Sequence, residues 1–291
     1  MTIGLALSGG GALGGAHIGI LDVLSQQDIH LDCIGGTSAG ALIGLLYAAG
    51  GMEAIEGFLQ ELTERGVIHP NHGLVLKTVD GIFNDIRESL ATQVAGRNFS
   101  ELDTPFFCVA TDIITGKMVV LDSGDPVAAV LASCAYPGVF PIQQVSEHFL
   151  VDGGLVCNLP SDLLRAREID FIIGSSLYCL SPLTPVQQRG RLSRLLVAGR
   201  ALEIIEKDRV FGQIAYCDFC FTPPVEIYKW FDFAMVKDLR NLGNQYAASR
   251  IGELKERIEK QEQLTLAENE ERDSPKSWWE RNILHKYRNN H

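Results

Sequence analysis

An α/β fold built on a mainly parallel central sheet is what this 291-residue sequence predicts, and three observations predict it. The first fifty residues hold two apolar strand-like runs, each followed by an apolar helical run; strands joined through helices pair in parallel. Glycine-rich turns stand at both strand-to-helix junctions, where the C-terminal ends of a parallel sheet gather binding residues. Hydrophobic residues make up 46% of the chain and charged residues 21%, with 29 glycines, a composition that builds a sizeable core with many tight turns.

The elements follow in order. IGLALSGG is a short buried strand that runs into Gly9-Gly10-Gly11-Ala12-Leu13-Gly14-Gly15, and an apolar helix follows from about Ala16 to Gln26. IHLDCIGG is the second strand; a sharp turn through Thr37 and Ser38 leads into ALIGLLYAAG, a helix without a polar face and therefore buried. From Met52 to about Gly96 the pattern is helical, split at HPNHG. FFCVATDII and KMVVLDS are paired strands joined at Thr115-Gly116, and DPVAAVLASCAY is a helix that Pro137 ends. FLVDGGLV returns to strand and breaks at Gly153-Gly154; IDFIIGSSLY, residues 169–178, is another buried strand. A proline-containing link at 181–185 precedes the helix RLLVAGRALEIIEKDRVF, the strand CDFCFTPP, a charged helix over about 252–272 and the tail from Ser274. These boundaries give one domain over residues 1–255, then a charged helix and C-terminal tail over 256–291.

The net charge of −11 argues against nucleic acid as a partner, because phosphate binding needs an excess of Lys and Arg. The N-terminus lacks a basic leader pattern, and the longest apolar stretch, ALIGLLYAAGG, falls short of the roughly 18–20 residues that span a bilayer. A soluble, cytoplasmic protein is expected. Peripheral contact with the inner membrane face is compatible with the tail, where Trp278 and Trp279 accompany Arg281, Lys286 and Arg288. The seven cysteines are an odd number set among apolar neighbours, the pattern of reduced, buried thiols. Cys217 and Cys220 have CxxC spacing without a second pair, in a strand-like run, which favours core packing over metal or redox use.

Gly36-Thr37-Ser38-Ala39-Gly40 matches GxSxG on a strand-to-helix turn. The flanking glycines leave room for a strained backbone that pushes the Ser38 hydroxyl outward, and the helix N-terminus favours developing negative charge. The same residues also suit a small-residue turn that packs a helix on a strand. None of the seven histidines has the local context of a triad base; His17 lies inside a helix, and His148 stands in the turn-like SEHF. Asp152, at the end of an apolar strand before Gly153 and Gly154, is either a partly desolvated base in contact with Ser38 or an Asp that stabilises its own turn. The glycine run fits a phosphate cradle or an oxyanion hole equally well. A dinucleotide site would need an acidic residue at the end of the second strand; that strand ends in Ile34-Gly35-Gly36, while Asp28 and Asp32 fall before or within it. The apolar helices GFLQEL and GIFNDIRESL, with YKWFDFAM at 228–235, suit either core packing or the lining of an acyl-chain groove.

Taken together, the loop Gly9 to Gly14, the elbow Gly36 to Gly40 and Asp152-Gly153-Gly154 resemble the bacterial patatin-like phospholipase family in order and spacing, with AHIGIL, ATDIITGK, ASCAYPGVFP and the NLP of Asn158 to Pro160 as further matches. The resemblance is good over about residues 3–180 and thins towards 255. It implies a three-layer fold with helices on both faces of the sheet. It also implies Ser38 as nucleophile, Asp152 as its base in a Ser-Asp dyad, and amides of Gly9, Gly10, Gly11 and Ala12 as the oxyanion hole. Phospholipid, lysophospholipid or another acyl ester is the implied substrate, with no cofactor and no metal. Many members carry Arg or Lys where this chain has Leu13. The alternatives are an esterase or acyltransferase with a Ser-His-Asp triad, whose elbow follows several strands and not just two, and a non-catalytic interaction protein.

Overall fold

A computed structural model describes residues 1–68, 77–177, 192–229, 231 and 233–273. Thr2–Ile251 make one compact unit, and Gly252–His291 belong to a second.

In the large unit, apolar β-runs with glycine or Asp-containing turns assemble into one eight-stranded sheet in the order β5-β6-β3-β2-β1-β7-β8, with β4 paired to β3 off that path. The strands are β1 (Ile3–Leu7), β2 (Cys33–Thr37), β3 (Phe106–Asp112), β4 (Met118–Leu121), β5 (Gln143–Val145), β6 (His148–Asp152), β7 (Phe171–Ser175) and β8 (Phe219–Phe221). β1, β2, β3, β7 and β8 run parallel, while β4, β5 and β6 are antiparallel additions at one edge. Helices cover both faces, so β1, β2, β3 and β7 are buried along nearly their whole length, as central parallel strands must be. The chain leaves β1 towards β2 and leaves β7 towards β8, in opposite directions along the sheet. Loops after such diverging strands open a crevice at the strands' C-terminal ends. Here those loops are the glycine run after Leu7 and residues Ser176-Leu177 after Ser175.

The helices are α1 (Gly15–Gln26), α2 (Ala39–Glu64), α3 (Val79–Val94), α4 (Pro126–Ser133), α5 (Ser161–Ala166), α6 (Leu192–Ile214) and α7 (Val236–Asp273). Local chemistry sets several ends. Thr78 caps α3 by accepting from the Gly81 N–H at 3.1 Å, and α3 stops where Ala95 turns left-handed at φ 54°. Asp125 caps α4 through the Val127 N–H at 2.9 Å, with Pro126 at the first helical position. The β3-β4 hairpin turns through Thr115-Gly116 as its sequence predicts, Asp112 accepting from the N–H groups of Ile114 and Thr115.

Two elements run longer than their sequence patterns. ALIGLLYAAG and EAIEGFLQELTE form one helix, α2, broken in backbone angle at Gly50-Gly51, where Gly51 takes φ 60°. By length and composition α2 is long and apolar enough to cross a membrane; its first half instead sits in the core, with Ile43, Leu45, Leu46 and Ala48 buried. α7 begins at Val236, well before the charged run, because Leu239 and Ala247 are buried in the large unit. In the second unit the helix from Gly252 is charged and carries an i,i+4 ion pair of Arg257 with Glu253 at 2.8 Å. The tail from Ser274 with its tryptophans, the HPNHG link and residues 181–185 lie outside the described residues.

Candidate active site

The site is assembled from three backbone turns that glycines allow to touch. A Cβ on Gly40 would stand 2.2 Å from the Leu7 carbonyl oxygen, and one on Gly36 would stand 2.5 Å from the Gly40 carbonyl oxygen. Neither position admits a side chain, so α2 starts directly against the ends of β1 and β2. Between these two glycines Ser38 takes φ 52° and ψ −120°, a conformation that costs a non-glycine residue free energy and is kept where the surroundings impose it. Its N–H donates to the Ser133 hydroxyl at 2.9 Å, and that hydroxyl donates to the Val109 carbonyl at 2.6 Å. Thr37 beside it donates to the Cys157 carbonyl at 2.9 Å. The elbow is thus pinned to β3, α4 and the segment after β6.

Asp152 closes β6, paired opposite Ala110 of β3. Its backbone is held on both sides, the N–H donating to Ala135 O at 2.9 Å and the carbonyl accepting from Thr111 Oγ1 at 2.8 Å. Gly153 has no room for a side chain, since a Cβ would lie 2.1 Å from the Val109 carbonyl oxygen. The Gly154 N–H donates to Asp152 Oδ1 at 2.8 Å. Asp152 is only 4% exposed, and it lines the same cavity as Ser38. Burial pushes its pKa up to about 6, against the opposing pull of the Ser38 hydroxyl and the Gly154 N–H, both of which favour the charged form. Asp152 stabilises its own turn with one oxygen, and it lines the cavity together with Ser38.

The glycine run supplies the third wall. Gly11 opens a 3₁₀ turn, Gly11–Gly14, at φ 58°, a left-handed conformation that favours glycine. The first N–H groups of such a turn have no acceptor within it, and those of Gly10, Gly11 and Ala12 make no hydrogen bond among the described residues. Gly9 differs: its N–H donates to the Asn158 carbonyl at 3.1 Å, so this amide is spent on structure. Gly9 contributes room instead, since a Cβ there would stand 3.4 Å from Ser38 Cβ. Leu13 is buried with Ala16, Leu177, Val225 and Leu239, a purely apolar setting. Ala39 and Gly14 are packed together, a Gly14 Cβ falling 3.1 Å from Ala39 Cβ.

These turns face a cavity of about 410 Å³, within the range of small-ligand sites. Ser38, Asp152, Gly154 and the whole run Gly9–Gly15 line it at one end. Phe58 and Leu62 of α2, Ile82, Phe83 and Ile86 of α3, and Phe231 and Phe233 line it further out. The helices GFLQEL and GIFNDIRESL thus serve as core and as cavity wall together.

No described histidine lines the cavity. His148 Nδ1 is bound to Asp112 Oδ2 at 2.9 Å. His17 is fully buried behind the glycine run, Nδ1 against Ser175 Oγ at 2.7 Å and Nε2 against the Ser8 carbonyl at 2.9 Å. Burial lowers its pKa to about 4, so it is neutral at pH 7 and donates from Nε2. Among the described residues no group of His, Cys, Asp and Glu side chains has metal-binding geometry.

Three cavity residues carry no local signal that would single them out. Asn158 places its amide Nδ2 3.2 Å from where a Cβ would stand on either Gly9 or Gly154, and its buried Oδ1 has no hydrogen-bond partner among the described residues. Cys134 lines the cavity with Ser38, its thiol pushed well up, first by burial and then by the Asp152 charge. Glu206 of α6 is buried on the cavity wall, its Oε1 3.8 Å from the Gly154 Cβ position. Only the NLP triplet hinted at Asn158.

The fold and site define a class: an α/β protein that sets a serine on a strained elbow, against a buried carboxylate, at the head of an apolar cavity. Comparison with known proteins makes this specific. The family model described as patatin-like phospholipase matches residues 5–165, more than half of the chain, and the chain belongs to that family. The patatin-like phospholipase domain-containing protein ZK370.4 of Caenorhabditis elegans is 31% identical, over 87% of this chain and 21% of its own length. The lysophospholipase NTE1 of Mycosarcoma maydis is 33% identical, over 57% of this chain and 9% of its own. Among solved structures, VipD of Legionella pneumophila aligns with a TM-score of 0.44 at 14% identity, over 85% of this chain and 67% of that one. The chain therefore spans about a fifth of the nematode relative and less than a tenth of the fungal one.

Proposed function

We propose that this chain hydrolyses lipid carboxylic esters through an acyl-enzyme on Ser38, with Asp152 as the base. The observation that carries the proposal is Ser38 on its strained elbow beside Asp152, a residue 4% exposed, at the head of an apolar cavity. A carboxylate raised to about pH 6 is still about nine-tenths ionised at pH 7 and is a stronger base than an exposed one. Ser38 attacks the ester carbonyl as Asp152 takes the hydroxyl proton; the proton then passes to the leaving alcohol. Water, deprotonated by the same Asp152, releases the acid and restores Ser38. The N–H groups of Gly10, Gly11 and Ala12, which have no acceptor among the described residues, are the donors for the tetrahedral oxyanion, each such donor contributing about 10²- to 10³-fold to turnover. Leu13 adds no charge beside them.

Phospholipid or lysophospholipid is the substrate class that an apolar cavity of this size and the family favour. Access to such lipids requires peripheral contact with a lipid surface, from the cytoplasmic side in this proposal. Ile204 and Ile205 of α6 and Phe231, all more than half exposed, support that contact, and Phe231 also lines the cavity. Neither nucleic acid nor a cofactor has a part in this scheme.

The test is hydrolysis of a p-nitrophenyl ester and release of fatty acid from phospholipid and lysophospholipid. Ser38→Ala and Asp152→Asn are each expected to lower both activities by at least about 10³-fold. Full activity in Asp152→Asn, with loss on changing a histidine, would move the chain to a triad mechanism.

A further inference from the structure

The CxxC pair, Cys217 and Cys220, lies outside the site and is absorbed by none of its chemistry. Both sulfurs crowd the open face of Gly174 in β7, Cys217 Sγ at 2.6 Å and Cys220 Sγ at 2.9 Å from the point where a Cβ would stand. Gly174 and Cys220 are direct register partners of β7 and β8, so the missing side chain at residue 174 is what gives two thiols one shared space. Both sulfurs thus crowd one point above Gly174, and both residues are partly exposed, unlike the buried Cys33, Cys108 and Cys157. Core packing, the expectation from spacing, accounts for their apolar neighbours but not for two sulfurs turned to one point.

We propose that Cys217 and Cys220 are a redox-active dithiol, closed to a disulfide by a small-molecule disulfide of the glutathione type, and that closure slows turnover at Ser38. Cys217 is the attacking sulfur. Its pKa is lowered by the neighbouring Cys220 thiol first and also by the Ser161 hydroxyl and the Arg165 charge, in spite of burial, whereas Cys220 is raised by the Cys217 thiol beside it. The Cys217 thiolate attacks one sulfur of glutathione disulfide and expels one glutathione thiolate. Cys220 then loses its proton, attacks the Cys217 sulfur and expels the second. The protein gives up two electrons and two protons, and one glutathione disulfide becomes two glutathiones.

The route to the site is a short series of contacts. The Cys217 N–H donates to the Ile214 carbonyl at 3.0 Å; the carbonyl of the adjacent Gln213 accepts from the Ser161 hydroxyl, and Gln213 Oε1 accepts from the Leu159 N–H at 2.9 Å. Leu159 adjoins Asn158, whose carbonyl holds the Gly9 N–H. Closing the disulfide shifts Cys217 at the end of α6 and so alters the hold of α6 on residues 158–161. This second half rests on the function proposed above.

The full chain is incubated with glutathione disulfide and glutathione at a range of ratios, alkylated with iodoacetamide and cut with trypsin. The peptide of residues 210–229 holds Cys217 and Cys220 and no other cysteine. After oxidation it is expected about 2 Da lighter than the dithiol and free of alkyl groups. Cys220→Ser is expected to trap glutathione on Cys217, and Cys217→Ser to leave Cys220 alkylated. A wild-type peptide that stays doubly alkylated, or equal glutathione capture by the two variants, would overturn the dithiol. Ester turnover of the oxidised protein is expected to fall several-fold, to return with dithiothreitol and to be unchanged by oxidant in Cys217→Ser; equal turnover of both forms overturns the coupling. Fluorophosphonate labelling of Ser38 in the reduced protein tests the site by itself, so its failure is told apart from failure of the thiol chemistry, which the peptide mass reports.

Discussion

Asp152 is a carboxylate kept in a setting that disfavours its charge, and this has consequences for activity and for stability. Base catalysis needs the ionised form, so kcat/KM for a p-nitrophenyl ester is expected to rise with pH through about 6 and then level. A profile flat from pH 5 to 8 would remove Asp152 from the base role. Stability moves the other way. The folded-state pKa lies above the unfolded value near 3.8. Both states are therefore protonated at low pH, and the folded state loses stability as pH rises through about 6, by up to roughly 3 kcal/mol. Asp152→Asn escapes that loss. Its urea midpoint is expected to exceed that of the wild type at pH 8, with the difference shrinking towards pH 4. The residue pair was legible from sequence, because a serine between glycines and an Asp before two glycines are unusual enough to mark turns. Asn158 was not, since an asparagine in a loop looks the same whether or not its amide stands beside Gly9 and Gly154.

At the scale of elements, the elbow exists because β1, β2 and α2 approach more closely than side chains allow. Gly40→Ala would drive a methyl group against the Leu7 carbonyl, 2.2 Å away in the present backbone. A loss of about 1–3 kcal/mol is expected by urea unfolding, with slower fluorophosphonate labelling of Ser38 as α2 shifts; wild-type behaviour in both would show that the contact relaxes freely. The strand-to-helix order was readable because apolar runs of strand length alternate with longer ones. The full extent of α2 and α7 was not. Gly50-Gly51 looked like a stop, yet the chain kinks there and continues, and the first turns of α7 are fixed by packing that the charged sequence after it conceals.

For the whole molecule, α1 and α7 cross with backbone almost touching backbone. A Cβ on Gly19 would lie 2.0 Å from the Arg240 carbonyl oxygen, and one on Gly243 would lie 2.1 Å from that of Ala16. Arg240 adds a clamp, bonding Asp22 through two nitrogens at 2.7 and 2.8 Å and reaching Glu56 of α2. Gly19→Ala is expected to cost about 1–3 kcal/mol in urea unfolding, although α1 itself would gain helix propensity; a more stable variant would show that α7 does not constrain α1. The cavity belongs to this scale too, since α2, α3 and the segment before α7 wall it jointly. Ile86→Trp is expected to shift preference towards shorter p-nitrophenyl esters, read as the ratio of kcat/KM across an acyl series.

The sequence by itself determined the glycine run, the elbow at Ser38, the turn at Asp152 and the parallel order of the first strands. Each of these is a local requirement: a backbone approach that only glycine permits, or a periodicity within one segment. Only the tertiary structure decided that Asp152 is buried at the cavity that Ser38 also lines, that the Gly9 amide is bonded to Asn158 while those of Gly10, Gly11 and Ala12 have no acceptor among the described residues, and that two cysteines share the space above Gly174. Those facts depend on which distant segments meet across the sheet, and no spacing within one segment encodes that meeting.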